Sequence, residues 1–128
     1  MDSPPLVVYV DVDDTLIRSA GTKHFPVSGM AAHVKALSDA GATLYCWSSG
    51  GADYARTIAA ELGIAACFVA FLPKPHVLID DQDVGAWRRL VQVHPMQCGS
   101  LSIDAYRRAV LGGPLNVEPG TAHDRGGA

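Results

Sequence analysis

The stretch Leu6-Val7-Val8-Tyr9-Val10-Asp11-Val12-Asp13-Asp14-Thr15 decides the fold. Its first five residues are apolar and mostly β-branched, with no polar alternation, the pattern of a strand buried on both faces of a parallel sheet. The run breaks at Asp11, and side chains two apart on a strand project the same way, so Asp11 and Asp13 can face one point where the strand ends. Alone, an acidic cluster at such a place is usually an Asx-turn in a solvated loop. Its meaning depends on the rest of the chain.

Downstream, a loop holding Gly21, Pro26 and Gly29 leads to Met30, Val34 and Leu37 at helical spacing, with Gly41 as the stop, which predicts a helix over about 29–40. Thr43 to Trp47 is a second apolar run. Ser48-Ser49-Gly50-Gly51 follows it, then a helix with a stripe of Ala55, Ile58, Ala59 and Leu62 that Gly63 closes. Cys67 to Phe71 predicts a third strand, Val77 to Ile79 a short fourth and Leu90 to Val93 a fifth. A last helix is expected from Ser102 as N-cap, with Ile103, Tyr106 and Val110 on one face and Gly112-Gly113 at its end. Alternating strands and helices make this an α/β fold with a parallel sheet of about five strands covered on both faces. Ligands on such sheets bind at the carboxyl ends of strands, where Asp11, Ser48 and Asp80 stand.

The chain has 128 residues, a length for one domain, expected over 1–113 with a Gly- and Pro-rich tail over 114–128. Hydrophobic residues make up 48% and charged residues 18%, which excludes a disordered chain. Net charge is −3 and no basic stripe is present, so no nucleic acid partner is expected. No apolar run approaches the roughly 18 residues of a membrane helix, and the first residues do not read as a secretory leader, so we expect no membrane partner and a cytoplasmic location. Cys46, Cys67 and Cys98 are odd in number and widely spaced, which reads as reduced core thiols rather than as a zinc site of Cys98 with His94.

Asp80-Asp81, at the end of the expected fourth strand, add a second carboxylate site. Like charges gathered at strand ends repel unless protons or a cation intervene, and a hard oxygen-binding cation such as Mg2+ resolves that conflict. Lys74 lies between Pro73 and Pro75, which hold its backbone extended and make it a candidate phosphate clamp. His24, in the loop after the first cluster, reads as a surface histidine.

Together these residues resemble the haloacid dehalogenase (HAD) superfamily. Its four short motifs match Asp11-Val12-Asp13-Asp14-Thr15, Ser48, Lys74 and Asp80-Asp81, in order and at strand ends, so the resemblance covers about residues 6–81. It implies a Rossmann-like three-layer sandwich whose first strand lies between those carrying motifs two and four. It also implies a phosphatase in which Asp11 is the nucleophile that becomes an aspartyl phosphate and Asp13 the general acid and base. Ser48 and Lys74 would bind the substrate phosphate, and Asp11, Asp13 through its main-chain carbonyl, Asp80 and Asp81 would serve the Mg2+ cofactor. An acid at position 13 favours phosphatase over dehalogenase within the family. Asp14 stands where many members have Gly, and Lys74 falls only six positions before Asp80, closer than in many members.

Neither the stretch after Thr15 nor that between Ser48 and Lys74 has room for a cap domain, so the site is expected to be open. The implied partner is a phosphorylated substrate, small or macromolecular. The alternative is a catalytically silent HAD-fold module that binds or regulates, since fold alone does not establish activity.

Overall fold

The computed structural model describes residues 4–115. The described residues fall into two compact units, divided between His76 and Val77. The tail expected from Pro114 lies, from residue 116 onward, outside the described residues.

The first unit holds β1 (Val7–Asp11), β2 (Ile17–Ala20), β3 (Lys23–Pro26), α1 (Met30–Asp39), β4 (Thr43–Ser48), α2 (Ala52–Glu61) and β5 (Phe68–Pro73). Three of these strands form one parallel sheet in the order β1-β4-β5. The register sets Asp11 beside Trp47 and Ser48 beside Pro73, so the three strands deliver their carboxyl ends to one edge. Crossovers between parallel strands are almost always right-handed, and an order that steps twice in one direction then places α1 and α2 on the same face. Burial along β4 agrees: Leu44, Cys46 and Ser48 are fully buried, while Thr43, Tyr45 and Trp47, on the other face, are half-buried.

The helices form where the periodicity predicts them. Met30, Val34 and Leu37 are the buried residues of α1. In α2 the buried residues are Ala55, Ile58 and Ala59, and the two alanines let the helix lie close against β4 and β5. On the opposite face Tyr9 meets Tyr45 at 5.1 Å and Trp47 at 4.9 Å between ring centroids, an aromatic cluster rather than a second buried layer. The loop expected after the first motif is instead an antiparallel hairpin, β2 with β3, closed by the two-residue turn Gly21-Thr22.

Among the described residues the five-stranded sandwich is not what forms: the parallel sheet has three strands, and β1 is at its edge rather than between two neighbours. Val77 to Ile79 and Leu90 to Val93, the expected fourth and fifth strands, adopt no strand. Both are short apolar runs, and Val77, Leu78, Ile79 and Leu90 are all exposed. Apolar composition in a run of three or four residues does not distinguish a strand from an irregular segment.

The second unit contains short 3-10 turns at Val84–Ala86 and Pro95–Ser100 and the helix α3 (Ile103–Val110). Ser102 caps α3 as expected, its hydroxyl accepting the Ala105 N–H at 3.4 Å. The buried residues of α3 are Ala105, Tyr106 and Ala109, whereas Ile103 and Val110 are half-buried, so the inward face is turned toward the alanines. Among the described residues no helix is long and apolar enough to cross a membrane.

Candidate active site at the strand ends

Directly after β1 the chain winds one tight turn about a single carbonyl. The N–H groups of Thr15, Leu16 and Ile17 all donate to the Val12 oxygen, at 3.2, 2.8 and 3.2 Å. Val12, Leu16 and Ile17 are buried, so this turn is anchored from beneath while Asp13 and Asp14 stay exposed above it. Asp14 takes the left-handed conformation, with φ 63°, and its N–H donates to the Ile17 oxygen at 2.7 Å. Only Gly, Asn and Asp adopt that conformation readily, which gives a backbone reason for the Gly that the resemblance leads one to expect at this position.

Both oxygens of Asp11 are engaged. Lys74 Nζ lies 3.1 Å from Oδ1, and the Thr15 hydroxyl donates to Oδ2 at 3.3 Å. Lys74 arrives there because its N–H donates to the Ser48 oxygen at 2.9 Å, which ties the exit of β5 to that of β4. Its ammonium also stands 5.9 Å from the centroid of the Trp47 ring, at the outer limit of a cation–π contact. With about a third of each side chain exposed, the pair contributes at most about 1 kcal/mol to stability, so its consequence is position.

The loop after β4 is built for a sharp entry into α2. The Ser48 oxygen also accepts the Gly51 N–H at 3.1 Å, and Gly51 sits at φ 105°, ψ 169°, a conformation open essentially to glycine alone. Ser48 is wholly buried, and its hydroxyl oxygen accepts the Gly50 N–H at 3.0 Å. Beneath the loop, burial above all and then the charge of Asp11 push the Cys46 thiol up to about 12, so it is an inert core thiol at neutral pH.

Asp13 has a partner that the sequence did not reveal. The Tyr54 hydroxyl, from the first turn of α2, donates to Asp13 Oδ1 at 2.7 Å. Burial first, then the hydrogen bond and charge of Asp13, push Tyr54 up to about 12, so the hydroxyl keeps its proton. His24, on β3, presents its ring edge-on to Tyr54 at 6.4 Å between centroids. The available signal was the position of Tyr54, three residues after Gly51 at the start of a helix whose stripe begins at Ala55; nothing linked it to Asp13.

The structure thus gathers Asp11, Asp13, the Ser48 loop and Lys74 within the first unit. Asp80 and Asp81 belong to the second unit, in no strand, and both are exposed. Asp80 Oδ1 accepts the Gln82 N–H at 2.9 Å, the Asx-turn that acidic residues form in solvated loops. Among the described residues no three His, Cys, Asp or Glu side chains come together as a metal-binding group. His94 and Cys98 serve local structure: His94 Nδ1 accepts the Met96 N–H at 3.1 Å, and Cys98 Sγ accepts the Tyr106 hydroxyl at 3.6 Å. No protein-family model, curated protein or solved structure matches this chain.

Proposed function

We propose that this chain is a Mg2+-dependent phosphatase of the HAD type, hydrolysing phosphoric monoesters through an aspartyl phosphate on Asp11. The observation that carries the proposal is the 3.1 Å approach of Lys74 Nζ to Asp11 Oδ1, two residues 63 positions apart that the sequence had singled out separately. A carboxylate attacking an anionic ester meets charge repulsion, and a cation fixed beside the attacking oxygen offsets it and stabilises the equatorial oxygens of the transition state.

In the first step Asp11 attacks phosphorus in line, the phosphorus–oxygen ester bond breaks, and Asp13 gives its proton to the leaving oxygen. In the second, Asp13 takes a proton from water as the water attacks the aspartyl phosphate, which releases inorganic phosphate and restores Asp11. The amides at the start of α2 supply donors for the phosphate oxygens, and Ser48, wholly buried, holds the loop before them through the Gly50 N–H. Mg2+ is commonly held by only one or two carboxylates together with waters and substrate phosphate, so the Asp11 carboxylate with the main-chain carbonyl of Asp13 would suit it without a three-residue cage. When bound, it neutralises charge on the phosphoryl group. Asp80 and Asp81 enter as further ligands through the resemblance alone. Between β1 and α1 there is only the hairpin, which supports an open site and leaves the substrate class undivided between small molecules and macromolecules.

The test needs no knowledge of the substrate. Mg2+ with beryllofluoride mimics an aspartyl phosphate, and it should raise the melting temperature of the unaltered protein but not of Asp11→Asn. No Mg2+-dependent rise in the unaltered protein would overturn the proposal and favour a silent binding module.

A further inference from the structure

We infer that Tyr54 is a positioning residue for Asp13: its hydroxyl occupies Oδ1, so that Oδ2 is the oxygen that carries and delivers the catalytic proton. The inference rests on the phosphatase proposal above and concerns how that site directs its acid. Asp13 is exposed, on a turn, and separated from Tyr54 by 41 positions, so without this 2.7 Å bond its carboxyl group would be free to rotate. A phenol can donate both to an ionised carboxylate and, less strongly, to the carbonyl oxygen of a protonated one. The bond can therefore persist through both steps, and in each of them it leaves the same oxygen for the proton.

The ring of Tyr54 is itself seated by the loop. A Cβ at residue 50 would lie 2.8 Å from Tyr54 Cδ2 and 3.2 Å from Cγ, atoms near the root of the side chain that cannot swing aside. Gly50 thus leaves the space that the ring fills, and the same position lies 3.4 Å from Ser48 Oγ, so one residue couples the Ser48 loop to the acid. His24 borders the ring on the hairpin side. Tyr54 consequently has one partner for its hydroxyl and a seat for its ring, both within the first unit.

The experiment compares Tyr54→Phe with the unaltered protein, each alone and with Asp13→Asn, on p-nitrophenyl phosphate and on a simple alkyl phosphate. A phenolate leaves with little help, whereas an alkoxide needs its proton from Asp13. Tyr54→Phe should lower kcat for the alkyl ester by about tenfold more than for the nitrophenyl ester, the scale of a hydrogen bond to a charged group, with KM within about twofold. In the Asp13→Asn background it should cost nothing further. Gly50→Ala, which retains every hydroxyl and crowds the ring, should show the same selective loss. Melting curves establish that each variant is folded.

Equal losses on the two esters, or a further loss in the Asp13→Asn background, would overturn the inference. If the unaltered protein shows no turnover that depends on Asp11, the phosphatase proposal falls and takes the inference with it. Turnover that depends on Asp11 but is not selectively lost in Tyr54→Phe removes the inference alone.

Discussion

Asp11 with Asp13 and Asp80 with Asp81 look much alike in the sequence: each is a set of carboxylates at the end of an apolar run. Their surroundings differ. Around Asp11 and Asp13 three side chains meet, Thr15 from the same turn and Lys74 and Tyr54 from distant parts of the chain, over a turn whose buried residues hold it in place. Asp80 has a bond from the amide two residues on, and the apolar residues before it are exposed. A strand end becomes a site when the strand is anchored and other strands bring complementary groups to it; the acidic residues alone do neither.

The largest expected effect tests the anchoring. Leu16, only 1% exposed, holds the turn from below, so Leu16→Ala should cost about 2–4 kcal/mol in a denaturant titration. Ile79, the residue directly before Asp80, is 94% exposed, and Ile79→Ala should change stability by no more than about 0.5 kcal/mol. A cost for Ile79→Ala comparable to that of Leu16→Ala would show that the run before Asp80 is packed in solution, and the contrast would collapse.

Metal dependence sharpens the contrast from the other side. If Asp80 binds Mg2+ as the resemblance implies, Asp80→Asn should raise the Mg2+ concentration needed for the beryllofluoride-induced shift by at least about tenfold, roughly 1.4 kcal/mol. Its melting temperature without Mg2+ should stay unchanged, because the side chain is exposed. An unaltered Mg2+ requirement would restrict the metal site to carboxylates of the first unit.

What the sequence made legible follows the same division. The stripe of Met30, Val34 and Leu37 and that of Ala55, Ile58 and Ala59 are long enough for their period to be read, and both helices are where it puts them. Three strands were visible as the apolar runs Leu6 to Val10, Thr43 to Trp47 and Cys67 to Phe71. The hairpin was not, because its two four-residue strands expose all but one residue and so lack alternation. Val77 to Ile79 has the composition of a strand, but composition says nothing about whether a partner edge is present. Within the candidate site, Asp11 and Ser48 could be picked out from their places at strand ends and Lys74 from the prolines on either side of it. Tyr54 could not, since its only tie to Asp13 is a contact formed when α2 docks beside the β1 turn.

The smallest effect concerns the backbone of that turn. At φ 63°, Asp14 occupies a conformation that costs most L-residues about 1–2 kcal/mol and Asp somewhat less, because its short polar side chain tolerates it. Asp14→Gly removes this strain but adds freedom to the unfolded chain worth roughly 0.5–1 kcal/mol, so the net change should be a gain of no more than about 0.5 kcal/mol. Asp14→Val should lose about 1–2 kcal/mol, since a β-branched side chain fits the left-handed region worst. The two substitutions differ from each other more clearly than either differs from the original residue, so their difference in unfolding midpoint is the quantity to measure. A valine as stable as glycine at this position would mean that the turn relaxes out of the left-handed conformation. The Asp14 N–H would then lose its 2.7 Å bond to the Ile17 oxygen, and with it the turn would no longer hold Asp13 within reach of Tyr54.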